Sequence, residues 1–165
     1  MVLGAPRSGT AWAANWLTTE RTLCMHEMLF THTPEQLDAV PCDRILGLAD
    51  TGLALFPEWL AAHPAKKVIL HRDSREITAS LHRAGMPAPK QDWGRLLRDI
   101  EGLHIDWNVL FTHPGLITHY LFGTLPDMAR HELLAKLNVQ ADFEKIDPDP
   151  AVTRRLIERM RSEAR

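Results

Sequence analysis

The chain has 165 residues, 45% of them hydrophobic and 24% charged, with a formal net charge of −2. That is the length of one domain with apolar residues enough to bury a core, and the near-neutral balance excludes a global basic field for nucleic acid, so any phosphate site has to be local. Cys24 and Cys42 form neither a metal-ligand spacing nor a disulfide framework, and no apolar run approaches membrane-spanning length. No signal peptide, repeat or low-complexity segment is visible, so a single domain over residues 1–165 in the reducing cytoplasm is expected.

In chain order, Met1-Val2-Leu3 reads as a short buried strand and residues 11–20 as the first helix. Thr22-Leu23-Cys24-Met25, ending in His26-Glu27, reads as the second strand. Thr33-Pro34-Glu35-Gln36 opens a short helix, with Thr as N-cap, Pro at the first helical position and Gln at the capping-box distance. Residues 44–49 predict a third strand ending at Asp50-Thr51-Gly52, and residues 53–62 a helix with Leu53, Phe56 and Leu60 as one stripe. Lys67-Val68-Ile69-Leu70 is the clearest strand, and Asp73-Ser74-Arg75-Glu76 then caps a helix that buries Ile77 and Leu81.

Beyond the loop 85–89, residues 92–101 predict an amphipathic helix carrying Trp93, Leu96, Leu97 and Ile100. Residues 104–110 have an ambiguous pattern compatible with a last strand, and His113-Pro114-Gly115 is a turn. Helices are expected over about 116–122 and 126–137, then a linker at Asp147-Pro148-Asp149-Pro150 and an arginine-rich terminal helix. Strand–helix alternation in the first half predicts a parallel sheet covered on both faces, the three-layer αβα form of an α/β protein, and the part from 86 to 165 is mostly helical. Arg7, Glu27, Asp50 and Arg72 each follow a predicted strand, so one cleft at the carboxyl edge of the sheet can collect all four.

The most informative stretch is Gly4-Ala5-Pro6-Arg7-Ser8-Gly9-Thr10-Ala11-Trp12, a glycine-bearing turn between a strand and a helix, where a backbone can curl around an anion. Gly4 and Gly9 have the spacing of the phosphate-binding pattern G-x-x-x-x-G-K-[ST], but Thr10 stands where Lys would reach the β/γ-phosphates, and Ala11 where a hydroxyl would bind Mg²⁺. An ordinary ATPase or kinase is disfavoured, and the cation sits within the loop as Arg7. A structural turn with a chance Arg-Ser-Gly-Thr is the plainer alternative.

This stretch resembles the 5′-phosphosulfate loop of sulfotransferases, P-[KR]-S-G-T-[TS]-W: Pro6, Arg7, Ser8, Gly9, Thr10 and Trp12 match, and Ala11 departs. A second stretch, Arg72 to Ser80, is similar to that family's 3′-phosphate motif R-[ND]-P-[KR]-[DE]-V-x-x-S, with Ser74 replacing Pro. Arg72 is a forked permanent cation suited to phosphate. The alternative for this stretch alone is a capped surface helix with an Arg–Glu pair. The resemblance covers residues 1–83 and implies a fold like that of P-loop nucleoside triphosphate hydrolases. It also implies the donor 3′-phosphoadenosine-5′-phosphosulfate (PAPS), the product 3′-phosphoadenosine-5′-phosphate (PAP), and no metal. Under it, Arg7, Ser8, Gly9, Thr10, Ala11, Trp12, Arg72 and Ser80 bind the nucleotide. The Arg-Lys-Gly loop of the cytosolic branch is not seen near the C-terminus, and the chain is shorter than typical members.

Sulfuryl transfer is an in-line displacement, with charge building on the leaving phosphate, which Arg7 would stabilise, and the acceptor needs a base. The cytosolic branch uses a His at a strand end, and the equivalent position here is Asp50. Carboxylate-using branches place a Glu after the second strand, which Glu27 matches. Glu27 is therefore the first choice as base, Asp50 the second and His26 the third. Glu27 as a solvated loop carboxylate and Asp50 as a cap for the following helix are the competing readings. Trp12 is either a core residue or an adenine platform, and His104, His113, His119 and His131 are expected to be structural or exposed.

The leading expectation is a cytoplasmic PAPS-dependent sulfotransferase acting on a hydroxyl or amine of a small molecule or glycan, with a homo-oligomer among the partners and neither nucleic acid nor membrane. The alternatives are a non-catalytic PAP- or nucleotide-binding module and a divergent P-loop nucleotide or metabolite kinase.

Overall fold

Five parallel strands form the sheet, in the order β2-β3-β1-β4-β5. They are β1 Val2–Gly4, β2 Thr22–His26, β3 Ile45–Ala49, β4 Val68–His71 and β5 Leu103–Asp106. The computed structural model describes residues 1–19 and 21–123. The helix expected over 126–137, His131, the linker at 147–150 and the terminal helix lie outside those residues.

Side chains along the central strands alternate between two cores, as the period of a strand requires. Leu3 and Ile69 pack with Leu53, Leu60, Ile77 and Leu97 on one side of the sheet. Val2, Val68 and Leu70 pack with Ala13, Ala14, Trp16, Leu110 and Ile117 on the other. Both faces are thus covered, which is why β1 and β4 read as unbroken apolar runs rather than alternating ones. Seven α-helices are described: α1 Thr10–Trp16, α2 Pro34–Leu37, α3 Pro57–Ala62, α4 Ser74–Arg83, α5 Trp93–Arg98, α6 Val109–Thr112 and α7 Gly115–Phe122. None of the described helices is long and apolar enough to cross a membrane.

Local sequence signals account for several boundaries. Thr33 caps α2 through a complete capping box with Gln36, and Pro34 occupies its first turn. The first helix is shorter than residues 11–20 predict. It stops at Trp16, where Thr18 Oγ1 donates back to the Ala14 carbonyl and Thr19 Oγ1 accepts from the N–H groups of Arg21 and Thr22. These hydroxyls offer the backbone an alternative to the helix ladder. The single helix expected over 53–62 is two elements, a 3-10 turn at Gly52–Leu55 and then α3. Pro57 has no N–H and pushes the preceding Phe56 out of the helical region (φ −123°, ψ 62°), so the chain breaks there. The ambiguous stretch 104–110 divides likewise: β5 ends at Asp106 and α6 begins at Val109.

The topology creates a crevice. Neighbouring strands β1 and β4 pair through Val2–Val68, Leu3–Ile69 and Gly4–Leu70. The helix after β1 joins the core on one face, whereas the helix after β4 joins the core on the other. Where adjacent strands send their connections to opposite faces, the loops diverge and leave an opening at the carboxyl edge.

Candidate functional site

The loop from β1 to α1 closes on small residues. A Cβ at Gly4 would stand 3.1 Å from the Leu70 Cβ and 3.2 Å from the Ser8 Cβ, so the loop folds back tightly on the sheet. Gly9 caps α1 at φ 92° in the left-handed region, where glycine carries no Cβ penalty. Arg7 also lies in that region, at φ 66°, a conformation a non-glycine residue keeps only when its surroundings impose it.

Those surroundings come from α4 and the end of β4. Arg7 Nε donates to Ser80 Oγ at 3.2 Å. Arg72 Nη1 donates to the main-chain carbonyl of Arg7. Two stretches more than 60 positions apart therefore meet at the crevice between β1 and β4. Arg72 is further held by Glu76, with Nε 3.2 Å from Oε2, and lies over the Trp107 ring with Cζ 3.8 Å from the centroid. Asp73 caps α4 as expected, accepting from the N–H groups of Arg75 and Glu76. The Glu76 carboxylate, in contrast to a full capping box, is directed to Arg72. Ser8 is fully buried, and its hydroxyl has no hydrogen-bond partner among the described residues. A buried polar group is rarely left so, and one in a tight loop beside two arginines suits an anionic ligand.

The carboxylate side of the edge is built by the ends of β2 and β3, which pair from Thr22–Ile45 to His26–Ala49. Glu27 follows β2 at φ 52°, with its side chain 17% exposed. Its Oε1 accepts from Thr51 Oγ1 at 2.7 Å and from the Thr51 N–H at 3.2 Å, and stands 3.5 Å from His26 Nε2. His26 Nε2 also lies 3.2 Å from Thr10 Oγ1, so the imidazole links Glu27 to the end of the loop. Burial, reinforced by the charge of Asp50, pushes the Glu27 carboxyl up to about 8, against the opposing hydrogen bonds from Thr51. Burial brings His26 down to about 4, so its ring is neutral at pH 7.

Asp50 is the more enclosed of the two carboxylates. It is 1% exposed, and its two oxygens accept main-chain N–H groups, Oδ2 from Leu29 at 2.9 Å and Oδ1 from Gly52 at 2.7 Å. It ties the segment after β2 to the 3-10 turn after β3, which is close to the capping alternative. Burial raises its pKa to about 6, and the surrounding main-chain N–H groups hold it from rising further.

Trp12 is partly buried: one face stacks on Trp16 at 5.2 Å and 9°, and Phe111 meets it at 5.2 Å and 58°. It packs against the second core, as the alternative to an adenine platform has it. Ala11 is exposed at the start of α1. His104 pairs with His71 at 2.7 Å, and His113 and His119 are exposed. Sequence reasoning missed two residues that shape the site, Thr51, which fixes Glu27, and Trp107, which covers Arg72, whereas the Arg72–Glu76 pair is the one named as the alternative for that stretch. Trp107 carries the same strand-end signal as Arg72, but the unclear boundary of β5 hid it.

No family model matches the chain, and no curated protein matches it.

Proposed function

We propose that the chain is a PAPS-dependent sulfotransferase with a P-loop-like fold, moving a sulfuryl group to a hydroxyl or amine of a small molecule or glycan in the cytoplasm. The observation that carries this reading is the hydrogen bond from Arg7 to Ser80, which joins the 5′-phosphosulfate-like loop and the 3′-phosphate-like stretch at one crevice. The residues present fit such a donor. The unpartnered Ser8 hydroxyl and the Arg7 guanidinium suit its 5′ side, with the first-turn N–H groups of Thr10 and Ala11, which no helix carbonyl takes. Arg72 and Ser80 suit its 3′-phosphate.

When bound, the donor supplies the sulfuryl group and a phosphate leaving group. Arg7 stabilises the negative charge that builds on that phosphate. Glu27 takes the proton of the acceptor. Its Oε1 is held by Thr51, whereas Oε2 makes no hydrogen bond among the described residues, which in this reading leaves it to take the proton. With its carboxyl held up to about 8, Glu27 is a stronger base than an exposed glutamate but is ionised only in part at pH 7. Activity therefore rises with pH toward about 8.

A non-catalytic PAP- or nucleotide-binding module is the second reading, favoured by the enclosure of Asp50, the second of the two carboxylates proposed as base. A divergent kinase is weaker, because Thr10 replaces the phosphate-reaching Lys. A thermal-shift comparison of PAP, ATP–Mg²⁺ and AMP tests the donor. PAP at 100 times its dissociation constant is expected to add about 2.7 kcal/mol of stability. Equal stabilisation by ATP with a requirement for magnesium overturns the proposal.

A further inference from the structure

We propose that Trp107 is a positioning residue for Arg72, setting the plane of the guanidinium so that one edge is presented to an anionic phosphate monoester; this rests on Arg72 being the anion-binding arginine of the reading above. Trp107 immediately follows β5, and its N–H donates to the His71 carbonyl at 2.8 Å. Its backbone is thereby tied to the residue directly before Arg72, extending the β4–β5 ladder by one step. The indole then lies under the guanidinium, 3.8 Å from Cζ to the ring centroid.

The guanidinium is a planar fork of five N–H groups. Nε is directed to Glu76 and Nη1 to the Arg7 carbonyl, and the indole covers one face, so among the described residues the Nη2 edge is left to meet a ligand. Glu76 cannot set this geometry alone. Its side chain is 53% exposed, and an ion pair so open to water holds little. The Arg72 side chain is only 12% exposed, and Trp107 supplies an apolar plane against it. Trp107 is itself braced: Phe111 meets it edge-on at 5.5 Å and 79°, Trp12 meets Phe111 at 5.2 Å, and Trp12 stacks on Trp16 in α1. An aromatic series thus runs from the helix behind the loop to the arginine on the opposite side of the crevice.

The test uses the full chain with ¹⁵N-labelled arginine. The Arg72 Nε–Hε resonance is assigned by its loss in Arg72→Lys. In wild type without ligand it is expected upfield, shifted by the indole ring current. It returns to the unshifted position in Trp107→Leu and stays partly shifted in Trp107→Phe. PAP affinity is expected to fall about tenfold in Trp107→Leu, more than affinity for adenosine 5′-phosphosulfate, and to recover to within about threefold in Trp107→Phe. An unshifted Arg72 resonance in wild type overturns the proposal, and so does Trp107→Leu with wild-type PAP affinity. If Trp107→Leu does not fold, the wild-type resonance and Trp107→Phe decide. A shifted resonance in a wild-type chain that binds no PAP overturns the donor reading while leaving the stacking intact.

Discussion

The two halves of the carboxyl edge are held in opposite ways. Between β1 and β4, Ser80 holds the Arg7 side chain and Arg72 holds the Arg7 carbonyl, with Arg7 exposed and Arg72 resting on an aromatic plane. Beyond β2 and β3, Glu27 and Asp50 are held by N–H and hydroxyl donors and are sunk far enough that burial resists their ionisation. The cationic half leaves Arg7 exposed, while Arg72, its side chain only 12% exposed, is held against the Trp107 ring. The carboxylate half keeps one member, Asp50, as an internal tie and raises the basicity of the other. The halves differ less in burial, since the Arg72 and Glu27 side chains are 12% and 17% exposed, than in what faces the charge: carbonyl, carboxylate and indole groups meet Arg72, whereas N–H and hydroxyl donors meet Glu27 and Asp50.

The sharpest way to break this contrast is Glu27→Gln, which keeps the shape and removes the basicity. It is expected to retain PAP affinity and to lose acceptor-dependent sulfation by about 10²–10⁴-fold, read by transfer of labelled sulfate. Unchanged turnover would move the proton transfer to another group, with His26 next in line.

Arg72→Ala comes second. Loss of a charge-assisted contact costs about 1.5–3 kcal/mol in PAP affinity. From sequence alone the loss would be confined to ligands carrying a 3′-phosphate. Because Arg72 also donates to the Arg7 carbonyl, a smaller loss is expected for adenosine 5′-phosphosulfate as well. Calorimetric titration of both ligands checks this, and wild-type affinity for both would remove Arg72 from the site.

The smallest effect is on stability against pH. The folded chain keeps a proton on Glu27 up to about 8, against the ordinary value of 4.5. Across that window the folded state binds more protons than the unfolded one, so this contribution to stability declines as pH rises. His26, lowered to about 4 from 6.5, acts the other way, its contribution declining as pH falls through that lower range. Urea unfolding at pH 7 and 9 is expected to show a drop in the wild-type midpoint that is reduced in Glu27→Gln. The same drop in both chains would show that Glu27 is not held protonated.

Much of this was legible one residue at a time. The capping box at Thr33, the apolar runs of β1 and β4 and the strand-end positions of Arg7, Glu27, Asp50 and Arg72 follow from signals spanning a few neighbours. Helix lengths were read less well, because Pro57 and the Thr18-Thr19 pair act against a hydrophobic stripe that by itself continues.

By itself, then, the sequence determined the strand–helix alternation, the glycine-bearing loop with its internal arginine and the set of charged residues that strand ends would deliver to one edge. These are properties of local spacing, backbone freedom and charge. Only the tertiary structure decided which of those residues touch. The order β2-β3-β1-β4-β5 sets β4 beside β1 and thereby brings Ser80 and Arg72 to Arg7. It also sets β3 beside β2, enclosing Asp50 between two main-chain segments while Thr51 is turned onto Glu27. Burial and the partners of a charge depend on residues far away in the chain, so two carboxylates with the same strand-end signature became a tie and a candidate base.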